Sequence, residues 1–358
     1  MSESGKKNIT VLNKFSARQV AEQNQDYVDK RRKGLIKSMQ TKFPRLDNYL
    51  MGGIELDTIL TISALSGAGK STLAKCIRDS ISDLNKEVSF NQYIFNFEMI
   101  AHQQAARSIV SSANIPLKKL YSVDEPLTDK EFEELKKYYD TLKRREGVYF
   151  IENPGTAEEI CDSLRHYYLT ECKPYNKVMI YEIDHALLTK GRDGQSEKER
   201  VDDLMISLVE VKKQIASDGG HSIGIVLSQM NREIRKVERI KIPELHRPQT
   251  SDLFGASSIE QCSDYILFSH IPAKLNLPNQ EYTEKKLPTK MKVGDRVVMI
   301  PYFELVKQRS GDSDLTIPMW NKLDRFDFDE MDKVLFHNLH NQFLNTGECQ
   351  FEKQNSLF

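Results

Sequence analysis

The sequence predicts an α/β protein: a mostly parallel, twisted sheet with helices on both faces and an antiparallel extension at one edge. Three observations predict it. Apolar strand-length runs alternate with amphipathic helical runs from residue 58 to 229, as expected of parallel strands joined by crossover helices. A glycine-rich bend, ALSGAGKST (64–72), stands between one such strand and one such helix. After about residue 263 the pattern changes to strand–turn–strand runs, which suit an antiparallel sheet edge.

Taken in order, residues 1–14 are polar and are expected to be disordered. Residues 15–40 read as a linker with a helix over 16–38, on which Ala17, Val20, Ala21, Tyr27, Val28 and Leu35 fall near one stripe. Gly52 and Gly53 make a turn. TILTISA (58–64) is a buried strand, and a helix follows the glycine-rich bend through Ser82. Strands are then predicted at 92–97, 148–151, 177–184 and 221–229. Helices are predicted after Met99 and over 129–146, 156–171 and 199–217. DYILFSH, RVVMIPYFELVKQR and DLTIPMW supply the antiparallel extension, and 271–296 reads as a polar, proline-containing exposed insertion. The main domain spans 41–328. Residues 329–358 hold one helix, MDKVLFHNLHNQFL, and a loose end.

Composition narrows the class. Hydrophobic residues make up 39% and charged residues 29% of 358, the balance of a soluble globular chain. No apolar run is long enough to span a bilayer and no signal-peptide core is present, so a cytoplasmic location is expected. The net charge of −1 gives no argument for nucleic acid from bulk charge, although basic loops can line a channel inside an otherwise acidic molecule. The five cysteines form no CxxC pair, which points away from zinc and from a disulfide framework.

The bend at 64–72 is the strongest chemical signal. A phosphate chain packs several negative charges into little space. Gly67 and Gly69 let the backbone curl so that N–H groups of Ser66, Gly67, Ala68 and Gly69 point inward, and the helix beginning there adds its positive end. Lys70 reaches the β- and γ-phosphates, Ser71 places a hydroxyl on Mg²⁺, and Thr72 completes the run. Ala64 stands where the general phosphate-loop pattern has its first glycine.

An acid at a strand's C-terminal end is the expected metal partner. Asp184 ends the strand 177–184, with Glu182 two residues earlier on the same face as its rival. Glu98, just after the strand 92–97, is the candidate for orienting the attacking water; Glu182 remains the alternative. Lys307 and Arg309 are two apart on a predicted strand and so share a face. Two loops carry exposed-type cations: 186–198 with Lys190 and Arg192, and 231–247 with Arg232, Arg235, Lys236, Arg239 and Lys241.

These runs, in this order, resemble the DnaB-like replicative helicases over roughly residues 40–328, with the RecA-like motor domain that family carries. The resemblance rests on Ala64 in the phosphate loop, FNFEM (95–99), Arg107 in the helix after it, IDHALL (183–188), LSQMNR (227–232), the segment 247–268 and KQRSG (307–311). It implies that Glu98 activates water, that Gln229 faces the γ-phosphate, and that Lys307 and Arg309 enter a neighbouring subunit's ATP site. It further implies ATP and Mg²⁺ as ligands, single-stranded DNA as the track and a ring homo-oligomer, with a hexamer as the form the family suggests. Primase, a helicase loader and polymerase are the partners that follow from it. Two departures stand out. Phe254 and Gly255 follow Ser-Asp-Leu where the family has a DNA-facing Arg, and the chain starts with the linker helix rather than with the family's N-terminal helical domain. The alternative to a fork-unwinding motor is a RecA-like ATPase acting as a recombination, loading or regulatory factor without strand separation.

Overall fold

The computed structural model describes residues 14–309 and 311–351. The expectations for the first thirteen residues, for Ser310 and for the last seven residues lie outside that range. The chain divides into two compact units after Ser38.

The first unit is a helix, α1 (Ala17–Arg32), opened by a capping box between Ser16 and Gln19. It is shorter than the expected 16–38. Gly34 adopts φ +70, Gly34 N–H donates to the Arg31 carbonyl and Leu35 N–H to that of Lys30. That pair of bonds closes a helix C-terminus around a left-handed glycine, so the stripe position Leu35 lies beyond the helix.

The second unit opens with α2 (Pro44–Tyr49) and then alternates as predicted: β1 (Thr58–Ala64), α3 (Lys70–Leu84), β2 (Phe90–Asn96), α4 (Ala101–Ser112), α5 (Leu117–Tyr121), α6 (Asp129–Lys143), β3 (Val148–Ile151) and α7 (Ala157–Tyr167). There follow β4 (Val178–Asp184), α8 (Glu197–Ser217), β5 (Ser222–Gln229), the short α9 (Val237–Ile240), α10 (Ala256–Cys262) and β6 (Tyr265–His270). Capping boxes at Thr128, Thr156 and Ser196 fix the starts of α6, α7 and α8, each satisfying backbone donors that a helix start leaves free.

The remaining strands are β7 (Glu281–Tyr282), β8 (Leu287–Pro288), β9 (Lys290–Val293), β10 (Arg296–Met299), β11 (Tyr302–Gln308), β12 (Leu315–Lys322) and β13 (Asp327–Glu330). Helix α11 (Lys333–Thr346) and β14 (Gln350–Phe351) end the described chain. The main sheet runs β13-β12-β11-β6-β1-β5-β4-β2-β3. The six strands from β6 to β3 are parallel, and β11, β12 and β13 add an antiparallel edge.

Three further expectations change. The run at 265–270 is the sixth parallel strand beside β1, because α10 carries the chain back across the sheet before it. Residues 296–299 belong to a separate three-stranded sheet with β9 and β14. The segment 271–296 is not an exposed insertion: Pro272, Leu275, Tyr282 and Met291 are buried, and the Tyr282 hydroxyl donates to Glu304 at 2.8 Å. Its prolines and polar residues shape a packed loop whose apolar side chains face inward.

Alternation along the central strands divides the core. Tyr181 and Ile183 of β4 join Leu164 of α7 and Leu204 and Leu208 of α8 in one buried cluster. On the other face Arg78 of α3 meets Glu182. Each fully buried leucine contributes roughly 1.5–3 kcal/mol relative to exposure, so the two helical layers lock the sheet whose C-terminal edge carries the site.

Candidate functional site

The phosphate loop leaves β1 at its C-terminal end and enters α3. Gly69 caps that helix at φ +88 with no side-chain hydrogen bond to its first N–H groups, so those donors stay available to an anion. Gly69 has no substitute here. A Cβ would stand 2.5 Å from the Phe328 ring of β13, and its φ is one that L side chains rarely adopt.

A cleft of about 300 Å³ opens over the loop, lined by Ser66, Gly67, Gly69, Lys70, Ser71 and Thr72 together with Glu98, Arg107, Gln229, Leu323 and Phe326. Ala68 is buried instead, its N–H turned to the Leu65 carbonyl at 3.0 Å. Parallel register brings the motifs together: Ala64 pairs with Gln229, and Asn96 pairs with Asp184. Four strands therefore deliver the loop, Glu98, Asp184 and Gln229 to one sheet edge.

At the cleft floor Lys70 Nζ stands 3.9 Å from Asp184 Oδ1. Both Asp184 oxygens and Lys70 Nζ are buried without a hydrogen-bond partner. Burial lowers the Lys70 ammonium from its ordinary value, while Asp184 and Glu98 oppose that shift. Orphaned buried charges are costly unless something completes them. A hydroxyl (Ser71), a carboxylate (Asp184) and an ammonium beneath a ring of amides fit a magnesium-bound phosphate chain, because Mg²⁺ is held by few protein oxygens and by substrate phosphates.

Glu182 lies on the same face as Asp184, one step deeper, and is engaged by Arg78 at 3.2 and 3.3 Å. Burial pushes its carboxyl up to about 7, against the pull of Arg78. It holds α3 to the sheet and does not reach the cleft. Glu98 does line the cleft, half exposed, with His185 Nε2 at 3.9 Å from it. That histidine also stands 3.5 Å from Gln229 Nε2, and burial next to Lys70 lowers it to about 4, keeping it neutral. The sequence singled out no role for His185, although it directly follows Asp184. Phe326 and Leu323 were also missed: they come from the antiparallel edge, far along the chain from the loop, and no motif marks them. Arg107 lies 4.5 Å over the Phe326 ring.

Lys307 and Arg309 lie elsewhere. Lys307 is level with Ile266 and, through it, with Thr61; Gln308 is level with Leu60. Arg309 is therefore near the opposite end of the strands, about 15 Å below Ala64 at about 3.3 Å per residue. The two cations share a side as expected. Lys307 donates to the Glu260 carbonyl, and Arg309 donates to the Gln261 carbonyl at 2.8 Å and pairs with Asp264 at 3.2 Å.

The candidate nucleic-acid loops leave β4 and β5, which are neighbours. Lys190, Arg192, Arg232, Arg235, Lys236 and Lys241 are exposed or half-exposed. Arg239 is held differently. Its guanidinium binds Asp252 and the carbonyls of Leu245 and Arg247, so it ties the loop together. Phe254 and Gly255 are half-buried beside these loops, and Phe254 N–H donates to the Gln229 carbonyl at 3.0 Å.

Comparison with known proteins agrees with this fold. The family model of the DnaB-like helicase C terminal domain matches residues 38–327. Among solved structures, one described as an ATPase domain superposes with a TM-score of 0.68 at 18% identity, covering 89% of this chain and 100% of that one. A second, described as "The Structure Of A DnaB-Like Replicative Helicase And Its Interactions With Primase", gives 0.65 at 19% identity, covering 83% of this chain and 64% of that one. None of the curated proteins compared matches the sequence. At these identities the structural likeness shows the RecA-like fold, and the match over most of the chain shows the family: this protein belongs to the DnaB-like helicases through their C-terminal domain.

Proposed function

We propose that the chain is an ATP-dependent replicative DNA helicase, acting as a ring-forming translocase on single-stranded DNA. The observation that carries this reading is the split of the catalytic set: Lys70 and Glu98 line one cleft with Asp184 beside Lys70, while Lys307 lies at mid-strand level and Arg309 near the far end of the same sheet. A head-to-tail contact brings one protomer's cations to the next protomer's cleft, and repetition of that contact closes a ring.

Bound Mg²⁺–ATP supplies the transferable phosphoryl group and a divalent charge beside it. Ser71 and Asp184 would hold the metal. The loop amides and Lys70 bind the phosphate oxygens, Glu98 orients the attacking water, and neutral His185 stands beside both Glu98 and Gln229. The neighbour's Arg309 offsets charge that develops in the transition state. Single-stranded DNA passes the cations of the loops after β4 and β5. Six subunits, and contacts with primase, a loader and polymerase, complete the proposal; the second structural neighbour is described with primase.

A forked-duplex unwinding assay tests this reading, with Lys70→Ala as the inactive control. Strand separation that requires ATP supports it. ATP hydrolysis without any separation would favour a loading, recombination or regulatory ATPase instead.

A further inference from the structure

Two side chains from the end of β6 and the turn after it hold consecutive carbonyls of the phosphate loop. The buried Ser269 hydroxyl donates to the Ala68 carbonyl at 2.6 Å. Lys274 Nζ donates to the Gly67 carbonyl at 2.5 Å. Nothing in the motif pattern points to either residue, since Lys274 stands 207 positions beyond Gly67.

The consequence follows from peptide geometry. A trans peptide is planar, so fixing a carbonyl fixes the following N–H in the opposite direction. With the Ala68 carbonyl drawn to Ser269, the Gly69 N–H is directed away from β6. With the Gly67 carbonyl drawn to Lys274, the Ala68 N–H is held on the Leu65 carbonyl, which closes the turn Leu65–Ala68 around the left-handed Gly67 at φ +71. Glycines make this loop pliable. Two outside bonds restrict it to one arrangement before any phosphate arrives.

Ser269 can occupy its place because β6 runs beside β1 in parallel register, with Ser269 level with Ala64. Lys274 can occupy its place because the turn Pro272–Leu275 is anchored by buried Pro272, Ala273 and Leu275. A rigid segment thus carries the ammonium, and a Cβ on Gly67 would come within 3.3 Å of it.

We propose that Lys274, with Ser269, is a positioning residue of the phosphate loop: the two bonds fix the Leu65–Ala68 turn and preset the Gly69 amide for the β-phosphate of a bound nucleotide. This inference rests on the nucleotide-binding reading of the cleft. It predicts a loss in affinity that ADP and ATP share, because both carry the phosphate that the loop amides surround, and little change in the rate at saturation.

The test is fluorescent-nucleotide titration with ADP and ATP analogues, together with steady-state hydrolysis, on the full chain. Lys274→Met should weaken both nucleotides by a similar factor, about ten-fold for one lost charge-assisted hydrogen bond. It should raise KM while leaving kcat within about two-fold, and leave the thermal midpoint without nucleotide in place. Lys274→Arg should recover most of the affinity, and Ser269→Ala should act in the same direction as Lys274→Met. Weakening of ATP alone, or a fall in kcat at constant KM, would overturn the proposal, since the ammonium would then act on the γ-phosphate itself. Unchanged affinities would overturn it as well. Lys70→Ala separates the two readings. If it abolishes binding while Lys274→Met does not weaken it, only the positioning role fails; if wild type binds no nucleotide, the reading of the cleft fails with it.

Discussion

Lys70 and Asp184 face each other at 3.9 Å, both buried and neither hydrogen-bonded. A pair arranged in this way is completed by a ligand between them. Lys70→Ala should therefore abolish nucleotide binding, and Asp184→Asn should leave metal-free nucleotide binding measurable while lowering turnover by at least about 100-fold. Titration with and without Mg²⁺, followed by hydrolysis assays, checks both. Wild-type turnover in Asp184→Asn would remove this carboxylate from the metal site.

Glu98 is the acid that lines the cleft, and Glu182 is engaged by Arg78. Glu98→Gln should keep nucleotide affinity and reduce kcat by roughly 10²-fold or more, the scale of a lost general base. Glu182→Gln should instead lower stability by loosening α3 from β4, because it leaves the buried Arg78 guanidinium with a weaker partner. A melting curve and a kcat measurement on each variant distinguish the two acids.

Arg309 rests on Asp264 and the Gln261 carbonyl of its own chain. Arg309→Ala should cut turnover by about 10³-fold with little change in nucleotide affinity. Mixing it with Lys70→Ala protein should restore part of the activity, since a Lys70→Ala protomer still donates an intact arginine to its neighbour. A strictly monomeric protein indifferent to loss of Arg309 would falsify the shared-site reading.

The exposed Arg232, Arg235 and Lys241 differ from Arg239, whose guanidinium is bound within its loop. Alanine at each of the first three should weaken single-strand binding and reduce the slope of log K against log salt by about 1. Alanine at Arg239 should lower the melting temperature first, since it leaves the buried Asp252 carboxylate with the Gln249 N–H but without its cation. Equal effects of all four on the salt slope would place Arg239 on DNA after all.

Acid should destabilise the fold through His270. This side chain is fully buried with both ring nitrogens unpartnered, and burial, with Arg239 and His246 nearby, lowers it to about 3. A histidine depressed below its unfolded value of about 6.5 contributes full stability above that pH. The contribution is lost as pH falls from about 6.5 towards 3, at up to about 1.4 kcal/mol per pH unit. Denaturant midpoints measured across that range should show a shallower fall for His270→Leu than for wild type.

Much of this was legible along the chain. Strand and helix periodicity located β1 to β5 within a few residues, since the runs are apolar and are bounded by turn or capping residues such as Thr156 and Ser196. The phosphate loop was legible because its chemistry is contiguous: Gly67, Gly69, Lys70 and Ser71 act through backbone and side chains only a few bonds apart. The order of the remaining motifs carried the family resemblance.

What the sequence determined by itself was the set of local pieces and their chemistry: a phosphate-binding bend, acids at strand ends and a pair of cations two residues apart. Tertiary structure alone decided which pieces meet. Strand order placed Asp184 and Gln229 at the loop, engaged Glu182 with Arg78, and put Arg309 at the opposite end of the sheet. It also folded the segment 271–296 inward, bringing Lys274 to Gly67 and, from the antiparallel edge, Phe326 to the cleft. The reason is physical: periodicity reports which face of an element is apolar, whereas contacts between residues hundreds of positions apart depend on register and strand order, which no local pattern encodes.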